Sequence, residues 1–161
     1  MRIEGEFTVN PNTPFEQRLK NTLVSDGASY FLRTLFRAEA VLPANFYIGL
    51  TNANPGFDLS TLVAIAAGEP NTAQGYARQP AVRNTTDWTV TEINGAWRAR
   101  SKLVTFTASG TYSIDWVRLF LCNLVSGTGG NVFSLSAPAI APNHVLVGGG
   151  PSVVYDFWMR P

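Results

Sequence analysis

The sequence has little of the chemistry that metal sites and covalent cross-links need. It contains one cysteine and one histidine in 161 residues. One cysteine cannot close a disulfide within the chain, and a single Cys and a single His cannot supply the four ligands of a structural zinc site. Cys122 lies in an almost continuous apolar run, which is typical of a small buried side chain. We therefore expect a domain stabilised by packing, with no cofactor and no metal.

Charge is also scarce. Asp, Glu, Lys and Arg make up 14% of the chain, against about 25% in ordinary soluble domains, whereas the hydrophobic fraction is 45%. The net charge of +1 lacks the basic excess of proteins that bind nucleic acid through phosphates. No apolar run approaches the ~18–20 residues of a membrane span, and the charged first residues do not resemble a signal peptide. We expect a soluble compartment, no nucleic acid or membrane partner, and an uncharged surface partly covered by other subunits.

Candidate catalytic groups are few. His144 is the only histidine, and no serine or cysteine lies in a nucleophile-elbow context. We interpret His144 as a solvent-facing or hydrogen-bonded loop residue. The glycine-rich segments 127–130 and 148–151 lack the lysine or the following helix of a phosphate-binding loop. The scattered carboxylates are more typical of turns and surfaces than of a glycosidase pair. The sequence therefore predicts no enzymatic activity.

The first residues alternate in polarity. Ile3, Phe7 and Val9 fall on one side of an extended segment. A terminal strand can pair within its own fold or add to the sheet of a neighbour. We predict that residues 1–12 form an extended arm with Ile3, Phe7 and Val9 as candidate interface residues, and pairing inside the chain's own sheet is the alternative.

A helix start is predicted at Thr13. Thr13 as the cap, Pro14 at the first helical position and Glu16 three residues after the cap make a capping box. An apolar stripe with helical spacing continues to residue 36, and residues 25–27 can begin a second helix. One or two amphipathic helices are therefore expected before the first strand of the main domain.

From residue 46 onward, short apolar segments alternate with turn residues. The spacing of about one strand per 8–12 residues is typical of all-β domains. A short helix is predicted over residues 60–68, inside the long connection 52–75. The predicted fold is mainly β, an antiparallel β-sandwich or barrel-like domain with a leading helix, formed by residues 13–161. Its strands are predicted at 46–50, 76–83, 88–91, 96–107, 113–122, 131–135, 145–147 and 153–159.

Residues 97–103 carry alternating charges. Arg98, Arg100 and Lys102 share one face of an extended segment, and Trp97 lies on the other. The three cations can contact an acidic partner surface or a polyanionic glycan, and the alternative is a solvated outer face that protects a sheet edge. Trp97 and Trp88 are also candidate platforms for a glycan.

Tyr76 and Arg78 form a second candidate pair. After Gly75 both project on one face of an extended segment, and Ala77 allows close packing on the other. Tyrosine and arginine are favoured at interface hot spots, so Tyr76 and Arg78 are candidate interface residues. The alternative is a Tyr–Arg pair stacked inside the domain's own sheet.

Several segments together resemble a family of small tailed-bacteriophage virion proteins, which are described as tail-fibre, minor tail or head-decoration proteins. The most specific element is Glu69-Pro70 followed by Gly-Tyr-Ala-Arg-Gln at 75–79. The likeness covers roughly residues 15 to 158, and the segment before residue 13 and the turn at 148–151 depart from it. Its other elements are the segments 46–51, 101–106, 117–121 and 134–138.

The resemblance implies a β-rich domain present in several copies on the virion and made in the host bacterial cytoplasm. It implies no catalytic residue, and its partners would be copies of the same chain and other virion proteins. The function we predict is that of a structural subunit of the tail, fibre-attachment or baseplate region. A capsid cement protein and a host-glycan-binding module are the alternatives.

Overall fold

A computed structural model gives the fold of the chain and describes residues 2–39, 41–56, 60–109, 113–138, 144–147 and 149–160. The strands are β1 (Arg2–Val9), β2 (Gln17–Leu23), β3 (Asn45–Thr51), β4 (Gln79–Val82), β5 (Trp88–Ile93), β6 (Ala96–Ser101), β7 (Val104–Thr107), β8 (Ser113–Trp116), β9 (Arg118–Cys122), β10 (Val132–Ser136), β11 (His144–Val147) and β12 (Gly149–Arg160). The helices are α1 (Ser25–Leu32), a π-helical turn (Arg33–Arg37), α2 (Leu62–Ala66) and a 3-10 turn (Thr72–Gln74).

Ten strands form one antiparallel sheet. Nine of them follow the order β4-β3-β9-β10-β2-β1-β12-β6-β5, and β7 pairs with the first part of β12 while β6 pairs with its last part. Strands β8 and β11 pair with each other in a separate two-stranded sheet. The long strand β12 therefore has three partners, and it joins the start of the chain to its middle.

The two edge strands of the large sheet, β4 and β5, follow each other in the chain and are joined only by residues 83–87. Trp88 Nε1 donates to Ala81 O at 3.4 Å, and Val82 N donates to Asp87 Oδ2 at 2.7 Å. Because so short a connection keeps the edges together, the sheet curls into a nearly closed, barrel-like shape. The prediction of a mainly β, antiparallel, barrel-like domain is confirmed.

The main core fills the inside of this curled sheet. Phe7 and Tyr155, from neighbouring strands β1 and β12, have ring centroids 4.7 Å apart. A second cluster of buried side chains lies where α2 packs on β9 and β10. The main core consists of Phe7, Val9, Leu19, Ile48, Leu50, Tyr76, Val104, Phe106, Trp116, Leu119, Leu121, Val153 and Tyr155.

Residues 2–9 form an internal strand, which corrects the prediction of an extended arm over residues 1–12. Strand β1 pairs with β12 on one side and with β2 on the other. Phe7 is fully buried and Val9 nearly so, whereas Ile3 is half-buried. Phe7 and Val9 are therefore core residues rather than interface residues, because alternation turned their side chains inward in the chain's own sheet.

The helix predicted to begin at Thr13 is not formed, because residues 17–23 are strand β2. Leu19 and Leu23 are four residues apart, which fits one face of a helix and one face of a strand equally well. Pairing with β1 on one side and with β10 on the other decides in favour of the strand. The prediction that amphipathic helices lead into the domain is therefore wrong for the described residues.

The capping pattern instead closes the loop between β1 and β2. Thr13 Oγ1 accepts a hydrogen bond from Phe15 N at 3.2 Å. The Glu16 carboxylate accepts one from Asn12 N at 2.9 Å. Asn10 and Asn12 take φ values of 48° and 61°, in the left-handed region that asparagine tolerates. The hydrogen-bonding chemistry of a capping box is present, but it belongs to a hairpin loop.

A helix does begin at Ser25, where a second helix start was predicted. It follows β1 and β2 in the chain rather than preceding the sheet. Val24 N donates to Phe133 O at 3.1 Å, which ties the start of α1 to β10. The helix then continues as the π-helical turn.

Later elements agree with the predictions in position but differ in extent. The strand predicted at 46–50 is confirmed as β3, and the helix predicted at 60–68 is confirmed as α2, whose cap is Thr61. The segments 96–107 and 113–122 each contain two strands, because the chain bends at 102–103 and at Val117.

Two further boundaries differ. The strand predicted at 76–83 is shorter, since β4 covers only Gln79–Val82. Residues 149–151 of the predicted glycine-rich turn belong to β12, where the register shifts between Gly149 and Ser152, and Gly148 lies outside the described residues. The glycine-rich segment therefore forms an irregularity within a strand rather than a turn between strands.

Replacing the buried aromatic ring of β1 should destabilise the domain. We expect Phe7→Ala to lower the free energy of unfolding by about 3–5 kcal/mol, because it leaves a cavity in the main core. Phe15→Ala is the matched control, since Phe15 is 76% exposed, and it should change the value by less than ~0.5 kcal/mol. Urea unfolding followed by tryptophan fluorescence measures both. A neutral Phe7→Ala would mean that β1 does not belong to this core.

Candidate functional site

An apolar cavity of about 310 Å³ lies against the inner face of the barrel-like sheet. Its wall on the sheet side is mostly aromatic, and the aromatic rings come from β3, β5, β10 and β12. Phe46 contacts Phe133 and Trp88 edge to face, with centroids 5.3 and 5.8 Å apart. Trp88 in turn contacts Tyr155 at 6.3 Å. The rings therefore form a continuous row of edge-to-face contacts along this wall.

The opposite wall of the cavity comes from residues 25–39 and 41–43, which we call the cover segment. Tyr30, Phe31 and Leu42 of the cover segment line the cavity. The Tyr30 ring meets Phe133 edge to face at 5.3 Å, and the Tyr30 hydroxyl donates a hydrogen bond to Val41 O. Tyr30 therefore links both halves of the cover segment to the sheet.

Asp26 and Gly27 fix the cover segment at its first turn. The Asp26 carboxylate accepts hydrogen bonds from Asn131 Nδ2 at 2.8 Å and from Val132 N at 2.9 Å. A Cβ on Gly27 would lie 2.5 Å from the Cα of Phe133, so only glycine permits this approach of α1 to β10. The Ser-Asp-Gly signal that predicted a helix start therefore also encodes a contact between helix and sheet, which the sequence did not reveal.

The outer face of the cover segment is apolar and exposed. Phe36 is 77% and Val41 88% exposed, and Leu32 and Leu35 are exposed by more than half. Part of the apolar stripe that predicted a helix is thus exposed, although Phe31 of the stripe also lines the cavity. Exposed apolar side chains grouped on one segment are typical of an interaction site in soluble proteins.

Charged groups of the cover segment pair with each other beside this apolar face. Glu39 forms ion pairs with Arg37 and, at 3.4 Å, with Arg33 Nε. Arg83, from the connection between β4 and β5, also lines the cavity. The border of the cavity and cover segment is therefore polar, while its centre is apolar.

Tyr76 and Arg78 are buried, and Glu69 is their common partner. The Tyr76 hydroxyl donates to Glu69 Oε1 at 2.6 Å. Arg78 binds the same carboxylate through Nε at 2.8 Å and Nη2 at 2.6 Å. The guanidinium also donates to Leu124 O and Gly127 O, both at 2.8 Å. Arg78 therefore ties the segment around Glu69 to the glycine-rich connection between β9 and β10.

This network corrects the interpretation of Tyr76 and Arg78 as interface anchors. Both are buried inside the domain, but they precede β4 and do not stack on each other as the alternative predicted, since Tyr76 stacks on Phe106 and Arg78 lies over Phe120. Burial, followed by the Glu69 carboxylate, raises the pKa of Tyr76 far above its usual range. For Arg78, burial lowers the pKa, but the hydrogen bond to Glu69 and the surrounding charges outweigh it and leave the pKa raised. Both side chains therefore keep their protons, and their role is to hold loops. The Glu-Pro and Gly-Tyr-Ala-Arg-Gln segments meet in space because Glu69 of the first segment bonds to Tyr76 and Arg78 of the second.

Arg98, Arg100 and Lys102 do not form one continuous ladder of exposed charges. Arg98 Nε and Arg100 Nη1 lie 3.7 and 3.5 Å from the carboxylate oxygens of Asp156, a buried residue of β12. Lys102 lies beyond the end of β6 and pairs with Asp87 at 2.8 Å. Since β6 lies between β12 and β5, it is not a sheet edge either, and the edge-protection alternative does not apply.

The tryptophans differ in their accessibility. Trp97 is 55% exposed, whereas Trp88 is half-buried in the aromatic wall of the cavity. Trp158 lies between two guanidinium groups, 5.2 Å from that of Arg98 and 4.9 Å from that of Arg160. Of the two tryptophans proposed as glycan platforms, only Trp97 has an accessible ring.

Comparison with known proteins adds no assignment. No protein-family model matches the chain, and no curated protein matches it either. Within the described ranges, no cluster of three or more His, Cys, Asp or Glu side chains could hold a metal ion. None of the helices in the described part of the chain is both long and apolar enough to cross a membrane.

Removing the carboxylate that Tyr76 and Arg78 share should destabilise the domain. We expect Glu69→Gln to lower the free energy of unfolding by about 3–5 kcal/mol, because it leaves the charge of Arg78 buried without its counter-ion. Glu16→Gln is the matched control, since Glu16 pairs with Arg18 at the surface and its loss should have a much smaller effect. Chemical denaturation of both variants measures the difference, and equal effects would contradict a structural role for the buried network.

Asp156 and Asp87 should make opposite contributions to the pH dependence of stability. Burial raises the pKa of Asp156 in the folded protein, despite Arg100 and Arg98. Its contribution is therefore full below the unfolded value of about 3.9 and is lost as the pH rises through the folded pKa. The hydrogen bond from Lys102 lowers the pKa of Asp87, so its contribution is present above about 3.9 and is lost as the pH falls through the folded pKa.

Replacing each aspartate with asparagine removes its titration. As the pH rises from 3 toward 7, wild type should lose stability relative to Asp156→Asn and gain stability relative to Asp87→Asn. Urea unfolding at a series of pH values measures both differences. Trends of the same sign for the two variants would contradict the environments described for these carboxylates.

Proposed function

We propose that this protein is a non-enzymatic structural subunit of a tailed-bacteriophage virion that acts through contacts among several protein copies. The observation that carries the proposal is the exposed apolar outer face of the cover segment, with Leu32, Leu35, Phe36 and Val41 in water. Such a face is costly on an isolated soluble protein, and it is typical of a surface that a partner covers.

The low content of charge supports the same proposal. A chain with only 14% charged residues has few groups that keep separate molecules apart in solution. Glu69 and Arg78 pair with each other inside the domain and so add little charge to the surface. The cover segment combines exposed apolar side chains with charged residues beside them, as the core and rim of a protein interface do.

Within this class, we propose the tail, fibre-attachment or baseplate region, and a capsid cement protein is the alternative. Residues 1–12 were predicted to contact a neighbour, but β1 is part of the domain's own sheet. We therefore propose the cover segment as the contact surface. Both locations need a subunit that associates through a preformed surface, and copy number separates them.

A host-glycan-binding module is the second candidate. The observation that favours it is the accessible ring of Trp97, since exposed aromatic rings bind sugar faces. Trp97 lies two residues from Ala99 on the same strand, and Ala99 lines the cavity. An assembly surface that extends from the cavity would therefore also cover Trp97.

Particle composition tests the proposed function. We expect quantitative mass spectrometry of purified virions to detect this chain, in a small multiple of three or six copies for a tail location. Hundreds of copies per particle would indicate the cement alternative. Absence from purified particles would contradict the structural role. Glycan-array binding by the isolated protein that is lost in Trp97→Ala would instead support the carbohydrate-binding module.

A further inference from the structure

The mouth of the cavity and the outer face of the cover segment share apolar side chains. Phe31 and Leu42 belong to both, since each lines the cavity and each is also exposed to solvent. Phe36 and Val41 are further exposed apolar side chains of the cover segment. A partner that covers the cover segment therefore also closes the cavity.

The size of this surface favours a protein partner over a small molecule. At about 200 Å² per large apolar side chain, the exposed fractions of the six apolar residues concerned amount to roughly 700 Å². This is close to the ~800 Å² that each partner contributes to a standard protein interface. A molecule small enough for the cavity would leave most of this area in water. The six residues are Phe31, Leu32, Leu35, Phe36, Val41 and Leu42.

The same surface carries both a protruding side chain and a cavity that can receive it. Phe36, in the π-helical turn, is among the most exposed aromatic side chains of the described residues. A cavity of about 150 Å³ is enough to hold benzene, so 310 Å³ accommodates a phenyl ring and part of an aliphatic side chain. A two-fold interface requires this self-complementarity, because each copy must contribute the same surface.

We propose that the cover segment and the cavity form a two-fold interface between copies of this chain, in which Phe36 of each copy enters the cavity of the other. The proposal rests on the proposed function and names the partner of its apolar surface. Ion pairs of Glu39 with Arg33 and Arg37 keep the charges next to Phe36 paired when water leaves the interface. Burial of Phe36 against the aromatic wall supplies the main stabilisation.

Association of the purified chain tests the proposal. Sedimentation equilibrium should give a dimer for wild type, and Phe36→Asp should weaken association by about 30-fold or more, as expected at an interface hot spot. Phe15→Asp is the matched control, because Phe15 is equally exposed but lies in the loop between β1 and β2. It should leave association unchanged. Near-ultraviolet circular dichroism establishes that each variant keeps the native fold.

Complementation between two variants distinguishes insertion of Phe36 into the partner's cavity from non-specific hydrophobic association. Val90 lines the cavity and is exposed, so Val90→Trp should obstruct the cavity while Phe36 stays intact. Phe36→Asp has the intact cavity and lacks the ring. Each variant alone should be monomeric, and an equimolar mixture should form heterodimers with one ring inserted, detected by native mass spectrometry of chains with different tags. Failure to form heterodimers would overturn the proposal, as would a wild-type chain that stays monomeric at its highest soluble concentration.

A small apolar anion is the alternative occupant, since Arg83 lines the cavity. Titration with 1-anilinonaphthalene-8-sulfonate examines it. If the dye binds the Phe36→Asp monomer and does not bind the wild-type dimer, whose cavity is filled, the result supports the proposal. Stoichiometric binding to wild type with no dimer at any concentration would overturn it.

The proposed function and this interface can fail separately. If the chain is present in virions and Phe36→Asp is incorporated as well as wild type, the interface fails and the structural role stands. If the isolated chain dimerises through Phe36 but is absent from virions, the structural role fails and the interface stands.

Discussion

The antiparallel pairing of β1 with β12 is the contact on which the rest of the structure depends. It runs over eight residue pairs, from Arg2 with Arg160 to Val9 with Val153, and brings the ends of the described chain together. It places Phe7 against Tyr155 in the core. Because β12 also pairs with β6 and β7, the same strand joins the start of the chain to its middle. Tyr155 also faces the cavity, so the pairing that makes the core also makes the cavity wall.

Two arginines are buried in this domain, whereas several large apolar side chains are exposed. Arg78 and Arg118 are buried, and each bonds to loops and strand ends: Arg78 to Glu69 and to the connection after β9, Arg118 to Ser136 O and Asn54. The cover segment, in contrast, exposes its apolar side chains. The buried guanidinium groups have fixed partners within the chain, whereas the apolar outer face has none among the described residues. The chain therefore satisfies its buried charges internally and also carries an exposed apolar surface suited to association.

Sequence patterns predicted the elements whose signals are local. The strand at 46–50 and the helix α2 were predicted in place, because alternation and a threonine or serine cap act within a few residues. The helix from Thr13 was wrong because the spacing of Leu19 and Leu23 fits two periodicities, and the partners β1 and β10 are distant in sequence. Of the candidate interface residues, only Trp97 and Lys102 are exposed, and Lys102 is paired with Asp87. The cover segment was missed as a site because an apolar stripe indicates that a face is covered and does not indicate by what.

The sequence by itself determined the mainly β class, the positions of most strands and the scarcity of catalytic groups, since composition and short-range alternation carry that information. Only the tertiary structure decided that residues 17–23 are a strand, that Glu69 is the partner of Tyr76 and Arg78, and that Phe36 faces solvent beside a cavity. The physical reason is distance along the chain. Burial, ion pairing and strand pairing join residues that are far apart in sequence, and no local pattern specifies which of several compatible partners is chosen.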